Sequence, residues 1–338
     1  MNCMKYTIYW SILVFSVFLF ASCTNEYREH FFREHDIGSL IQSWALVSSG
    51  AEVLVLPDEW VRTRIIGHID SASERIWIEI YLWTDTDILD AVLRAHARWV
   101  DVRVLLEPNV YGLPDANKKI YRSMTDVWIK VKYTDNYRYV FTHAKFMIID
   151  DRYYISTGNF TRSFFEGNRE FIYFGNDIIT LDFLREVFLS DFAYLNLPQT
   201  RVPEHMVLSP VNSRERIESM IRTATGSIVI YNQTLTDLSI LSLLHEKISE
   251  WADIRVCTAD NESNRQSLSG GHLNWKTIKK PYLHAKIMIL DGKTLFLWSQ
   301  NFTQNALENN REVGIIIRDS PDIIAKIQKI IEKDCIFD

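Results

Sequence analysis

Two stretches decide how this chain is read: 141-FTHAKFMIIDDRYYISTGNFT-161 and 282-YLHAKIMILDGKTLFLWSQNFT-303. In both, a His is followed two residues later by a Lys and seven residues later by an Asp, and Asn-Phe-Thr closes the stretch. The first set is His143, Lys145, Asp150 and Asn159, with Arg169-Glu170 further on; the second is His284, Lys286, Asp291, Ser299 and Asn301, with Arg311-Glu312. His to Glu is 27 residues in one copy and 28 in the other. The extra residue is read between the Asp and the Asn, where Trp298-Ser299-Gln300-Asn301 stands against Thr157-Gly158-Asn159. Reactive side chains written twice imply either a duplicated core or one site assembled from two halves.

The repeat extends outward. Glu74 to Asn109 aligns with Gly226 to Asn261. Each begins with an apolar, β-branched or aromatic run, continues with apolar positions at helical spacing (Ile88, Leu89, Val92; Ile240, Leu241, Leu244) and closes on a short strand, VDVRVLL or ADIRVCT. Strand, helix and strand with a helix-length crossover make a βαβ unit with parallel pairing. KFMIID and KIMILD read as central buried strands, followed by YYIST and TLFLWS after tight turns at Asp151-Arg152 and Asp291-Gly292-Lys293. Helices are expected near 181–194 and 321–333. The fold class is therefore α/β: two similar lobes, each a mixed sheet flanked by helices, packed about a pseudo-two-fold axis. The lobes are placed at 46–200 and 201–338, with the boundary in the proline-bearing segment 196–213.

The start of the chain has a different character. Lys5 precedes a nearly uncharged apolar run to Phe20, then Ala21-Ser22-Cys23. This layout is that of a secretory signal and resembles a bacterial lipoprotein signal, cut before a Cys that takes lipid. The reading is a signal peptide at 1–22, lipidation at Cys23 and a polar tether over 23–45, with an uncleaved membrane anchor as the alternative. Both place the folded part in the cell envelope, outside the cytoplasm. Cys257 and Cys335 then remain, and a disulfide between them is permitted by that compartment but not implied by two residues.

Bulk composition constrains the partner. The formal charge is −6 with 43 Asp and Glu against 37 Lys and Arg, so a global phosphate-neutralising surface is excluded while a local basic cleft is not.

On a strand, residues two apart share a face, so each His stands beside its Lys. Two His, two Lys and two Asn converging on one cleft suit a phosphodiester. Ammonium and amide groups stabilise charge on a five-coordinate phosphorus, a neutral His attacks it, and a protonated His supplies the leaving alkoxide with a proton. Glu170 and Glu312 suit acceptance of a hydrogen bond from each His Nδ1; a salt bridge to the adjacent Arg is the competing reading. No metal or other cofactor is required, because the Lys residues carry the positive charge.

This doubled H-x-K-x4-D pattern, followed by Asn and Glu, closely resembles the phospholipase D superfamily, in its monomeric, pseudo-dimeric branch. The resemblance runs from about Val53 to the end of the chain. It implies a phosphohistidine mechanism without metal, with His143 as nucleophile, His284 as acid, and Lys145, Lys286, Asn159, Asn301 and Ser299 on the phosphate. The family's usual Gly-Ser-x-Asn is altered here, with Ser missing from the first copy and Gly from the second. Asp150 and Asp291 are expected to be structural.

Substrate remains open at this level. A phospholipid headgroup fits the membrane-directed start and the acidic charge. Tyr137, Tyr139 and Phe141 are candidates to enter a headgroup layer and Trp83 to line a cleft, with ordinary packing as the alternative. A nuclease is the other enzymatic reading, supported by Lys118, Lys119, Lys130, Lys132, Lys276, Lys279 and Lys280 near aromatic residues. A non-catalytic envelope scaffold is the third. The expected partners are a phospholipid membrane and a phosphodiester, with nucleic acid as alternative substrate, and the chain is read as a monomer.

Overall fold

In each lobe, apolar runs too short for helices form the middle of a sheet, and other segments, most of them capped by Asp or Thr, form the helices around it. A computed structural model describes residues 50–197, 202–250 and 252–337, within a unit comprising Ser49–Asp338. The expected signal peptide, Cys23 and the tether lie outside the described residues.

The first lobe runs β1 (Glu52–Leu56), α1 (Glu59–Ser71), β2 (Arg75–Ile80), α2 (Thr86–Ala97), β3 (Asp101–Leu106), α3 (Lys118–Thr125), β4 (Lys130–Tyr133), β5 (Lys145–Ile149), β6 (Arg152–Ser156), α4 (Arg162–Glu166), β7 (Asn168–Gly175) and α5 (Ile178–Phe192). The second runs β8 (Met206–Ser209), α6 (Ser213–Thr223), β9 (Ser227–Asn232), α7 (Leu238–Ser249), β10 (Asp253–Ala259), α8 (Glu262–Leu268), β11 (Asn274–Ile278), β12 (Tyr282–Leu283), β13 (Lys286–Leu290), β14 (Thr294–Trp298), α9 (Gln304–Glu308), β15 (Glu312–Ile317) and α10 (Pro321–Asp334).

Strand order is β1-β7-β6-β5-β2-β3-β4 in one sheet and, in matching order, β8-β15-β14-β13-β9-β10-β11 in the other. In each, the βαβ strands pair in parallel (β2 with β3, β9 with β10) and the HxK strand joins them antiparallel (β5 on β2, β13 on β9). The strands KFMII and KIMIL are buried at every position, as expected of strands covered on both faces. Asp85 and Asp237 cap α2 and α7, accepting from the Ile88 and Ile240 amides at 3.0 and 3.1 Å.

One hydrophobic cluster includes residues of both sheets, among them Trp77, Phe146 and Phe171 with Tyr231, Ile287 and Leu297, and takes in Phe188 of α5 and Ile327 of α10. Each lobe has a second cluster under its other helices. The lobes thus share a core through facing sheets. Cys257 of β10 and Cys335, just past α10, are disulfide-bonded within it. No helix among the described residues is long and apolar enough to cross a membrane.

Two readings are corrected. Ile149 pairs with Arg152 and Leu290 with Thr294, so the first hairpin turns on Asp150-Asp151 and the second on Asp291-Gly292-Lys293. Arg152 belongs to β6, and the extra residue of the second copy sits in this turn. The Thr157 and Ser299 amides both bond to the neighbouring strand, at Phe171 and Val313, so these two residues match.

Candidate active site

The lobes meet by exchanging short segments just ahead of each HxK strand. Tyr282 and Leu283 pair in parallel with Asn168 and Arg169 of the other sheet. Thr142 bridges to Arg311, and the His143 amide donates to the Arg311 carbonyl at 2.8 Å. The exchange carries each Glu to the other lobe's His. The His143 Nδ1 lies 3.0 Å from both Glu312 oxygens, and the His284 Nδ1 lies 2.6 Å from Glu170 Oε1. Both carboxylates are fully buried. Of the two sequence readings for the Glu residues, the histidine bond is the one formed. The adjacent arginines turn elsewhere, Arg169 to Asp334 at 2.6 Å and Arg311 to Asp191 at 2.8 Å.

Hydroxyls hold the carboxylates in place. Thr157 Oγ1 donates to Glu170 Oε2 at 2.6 Å and Ser299 Oγ donates to Glu312 Oε2 at 2.5 Å. The sequence placed Ser299 on phosphate; its fully buried hydroxyl is instead turned to Glu312. The Ser absent from the first copy is replaced in kind by Thr157.

Gly158 is needed next to this pair, since a Cβ there would lie 2.2 Å from Glu170 Oε1 and 2.4 Å from the Phe164 ring. The second lobe places Gln300 at the matching position and Ala306 where Phe164 stands, an exchange of volume between two neighbouring positions.

Lys145 and Lys286 are buried under the histidines. Lys145 Nζ donates to the His143 carbonyl at 2.5 Å and lies 5.4 Å from the Tyr81 ring centroid. Lys286 Nζ donates to the His284 carbonyl and, at 3.2 Å, to Gln233 Oε1. Asn159 and Asn301 each keep a buried Oδ1 without a hydrogen-bond partner, the same atom at matching positions in the two lobes. Buried polar atoms are ordinarily paired, so a matched pair of exceptions marks a place where polar capacity is held in reserve.

The electrostatics couple all six ionisable groups. Burial lowers His143, Glu312 opposes this, and Lys145 and Lys286 add to it, leaving the imidazole at about 4. Burial likewise lowers His284 against the opposing pull of Glu170. Burial brings Lys286 down to about 8 and Lys145 well below its ordinary value. Burial pushes the Glu170 and Glu312 carboxyls up, but their histidine and lysine neighbours outweigh it and hold both below the usual range. Each lysine feels carboxylates of both lobes, so the two HxK sets share one electrostatic site.

Asp150 and Asp291 stand away from this cluster. Asp150 accepts from the Ser73, Glu74 and Arg75 amides at 2.9, 2.8 and 2.9 Å, and Asp291 from the Thr225, Gly226 and Ser227 amides at 3.0, 2.6 and 2.9 Å. They fasten each hairpin turn to the start of β2 or β9.

The sequence reading missed Tyr81 and Gln233. Tyr81 packs its ring edge-on against His143 at 4.6 Å, and Gln233 holds Lys286. It also missed Asn117 and Asn264. Their amide nitrogens bond the Tyr81 and Glu107 carbonyls, and the Gln233 and Ala259 carbonyls, each at 2.8 Å. The repeat alignment already matches Tyr81 with Gln233, which was the available signal. Other expectations are corrected by burial: Trp83 is a core residue bonded to the Asp85 carbonyl, and Tyr139 is buried, whereas Tyr137 is fully exposed. Lys130 pairs with Asp101 at the opposite end of the sheet, and Lys132 bonds the Phe192 carbonyl, so neither faces the site.

A family model described as cardiolipin synthase, phospholipase D-like domain, matches the chain twice, at residues 65–191 and 217–335. Among solved structures, phosphatidylserine synthase of Haemophilus influenzae aligns with TM-score 0.68 at 15% identity, covering 86% of this chain and 87% of that one. Polyphosphate kinase of Porphyromonas gingivalis aligns with TM-score 0.65 at 16% identity over 84% of this chain, which spans only 50% of the kinase. At these identities the likeness is one of fold. No curated protein matches the chain significantly.

Proposed function

The chain belongs to the phospholipase D-like family, and from that premise we propose that it is a membrane-associated phosphodiesterase or transferase acting on a phospholipid headgroup. The observation that carries this reading is the crossed pairing of His143 with Glu312 and His284 with Glu170 over two buried lysines.

Each Glu holds the proton on Nδ1 and so leaves Nε2 of its histidine with the reacting lone pair. His143 Nε2 attacks phosphorus as the P–O bond to the headgroup breaks, and His284 passes its proton to the departing alkoxide. Water then gives a proton back to His284 and attacks phosphorus, the P–N bond to His143 breaks, and the phosphatidyl group is released; an alcohol in place of water gives transfer. Lys145, Lys286, Asn159 and Asn301 hold the non-bridging oxygens. The shorter Glu170 contact favours imidazolium at His284, the Lys286 ammonium 3.2 Å from the same Nδ1 opposes it, and the assignment of His143 as nucleophile and His284 as acid rests on the family resemblance. A bound diester anion favours the proton on His284 further.

The disulfide between Cys257 and Cys335 supports a location outside the cytoplasm, as the reading of Cys23 as a lipid anchor requires. The internal repeat supplies both halves of the site, so the protein acts as a monomer.

The test offers mixed phospholipid vesicles and labelled single-stranded DNA in parallel, in EDTA, with His143→Asn as control. Headgroup release or exchange that disappears in the variant is expected. DNA cleavage with inert lipid would replace this reading with a nuclease, for which Lys279 and Lys280 are the supporting residues.

A further inference from the structure

The end of the molecule that carries the histidines has two unlike banks. Loops 107–117 and 134–142 follow the parallel strands β3 and β4 and so emerge beside His143, just ahead of β5. On them Tyr111 is 84% exposed, Leu113 56%, Tyr137 103% and Val140 45%. These side chains do not stand out because their loops are loose. The buried Glu107 carboxylate accepts from the Asn109 amide at 2.9 Å, Asn136 Nδ2 at 2.9 Å, the Thr142 amide at 2.7 Å and Thr134 Oγ1 at 3.3 Å, tying both loops together. The Tyr111 amide is bonded to Tyr81 Oη at 2.7 Å, and Tyr81 abuts His143. An apolar group fixed outward in water beside a reactive site marks a contact surface.

The second lobe has Ala259 at the place of Glu107 and lacks this knot. Its loops at the same end carry the exposed Lys279 and Lys280, with Lys279 paired to Asp260 at 3.2 Å.

We propose that this mouth is a membrane-docking surface: Tyr111, Leu113, Tyr137 and Val140 enter the headgroup layer of a bilayer, while Lys279 and Lys280 meet its anionic phosphates. The inference rests on the lipid reading above and specifies the surface by which the site reaches lipid. Tyrosines with aliphatic neighbours and flanking lysines are the chemistry of an interface between water and acyl chains. Leu113 and Val140 offer nothing to a stacked base, which separates this surface from a single-strand track. A chain of net charge −6 also needs a local basic bank to approach an anionic surface.

The test uses the body beginning at Ser49, a unit with its own cores, so that the apolar amino-terminal run cannot bind vesicles on its behalf. Flotation with phosphatidylcholine vesicles, with and without phosphatidylglycerol, is compared for the wild type, Leu113→Ser/Tyr137→Ser and Lys279→Gln/Lys280→Gln. Turnover of the water-soluble bis(p-nitrophenyl) phosphate is measured alongside. The apolar double variant is expected to lose vesicle binding by at least about tenfold while keeping soluble-diester turnover. The lysine variant is expected to lose only the gain due to phosphatidylglycerol. Flotation of the apolar double variant equal to wild type overturns the proposal, as does loss of single-stranded DNA binding without loss of vesicle binding. Vesicle binding by a wild type that cleaves the soluble diester but no lipid would sink the substrate reading and leave the docking surface standing.

Discussion

The two lobes agree at the reacting groups and differ in what supports them. His, Lys, Asn and Glu recur at matching positions, and Thr157 and Ser299 present the same hydroxyl to the two carboxylates. Behind each Glu an Arg reaches the last turn of the other lobe's helix, Arg169 to Asp334 in α10 and Arg311 to Asp191 in α5. There the likeness stops. Tyr231 donates to Asp334 at 2.7 Å, whereas the matching residue near Asp191 is Glu79, fully buried with both carboxyl oxygens unpartnered. Burial, with Asp191 adding to it and Arg311 and Arg138 opposing, raises Glu79 well above the ordinary carboxyl range. The second lobe carries a disulfide where the first has Leu105 and Phe192 at the corresponding places. Symmetric chemistry thus stands on asymmetric supports, while the proposed mechanism asks two histidines of one motif to take opposite protonation roles.

The largest expected effect separates the two histidines. With a phospholipid or other alkoxide leaving group, His143→Asn and His284→Asn each lower kcat/KM by at least about 10⁴-fold. With a p-nitrophenyl diester, whose leaving group needs no proton, His284→Asn retains rapid release of the first nitrophenolate and His143→Asn does not. Equal loss on both substrates would mean the histidines are not divided into nucleophile and acid.

Next is stability. Arg311→Met leaves Asp191 the Arg138 guanidinium at 3.6 Å and a long bond from the Tyr139 hydroxyl at 3.4 Å, with Glu79 buried beside it, and is expected to cost about 3 kcal/mol. Arg169→Met leaves Asp334 its bond from Tyr231 and is expected to cost about 1–2 kcal/mol. Urea unfolding of both variants checks the order, and equal costs would remove the significance of the Glu79–Tyr231 difference.

The smallest effect is a displacement of pH limbs. His143 must be neutral, so activity falls as pH drops through its value of about 4 in the free site. Glu312 raises that value, so Glu312→Gln moves the acidic limb of kcat/KM to lower pH. His284 must be protonated, so activity falls as pH rises through its pKa. Glu170 raises it, so Glu170→Gln moves the alkaline limb to lower pH. Displacements of about one unit are expected, each on its own limb. Movement of the same limb in both variants would reverse the assignment of one histidine.

The sequence disclosed most of the fold because duplication exposes itself. After their first lysine, KFMII and KIMIL are uniformly apolar, and the βαβ segments align without gaps. The helices expected near 181–194 and 321–333 are found at Ile178–Phe192 and Pro321–Asp334. What stayed hidden was carried by features with no period. The Tyr282-Leu283 pairing and the Thr142–Arg311 bridge are each one or two residues long, yet together they decide that each Glu serves the other lobe's His. Tyr81, Gln233, Asn117 and Asn264 lie outside the motif and act through a few hydrogen bonds or one ring edge. The extra residue was misplaced because a hairpin turn accepts two or three residues equally well, and only strand register distinguishes them. Exposure of Tyr137 against burial of Tyr139 depends on loop geometry that spacing does not encode.

In the proposed mechanism, His143 takes the phosphoryl group and His284 handles protons within one site. The most direct test incubates His284→Asn with bis(p-nitrophenyl) phosphate, quenches in base and maps the modified peptide by mass spectrometry. A stoichiometric burst of nitrophenolate with a nitrophenyl-phosphoryl group on His143 is expected, because the leaving group departs unaided while water lacks its base. The absence of a burst, or a phosphoryl group on any other residue, would contradict the account.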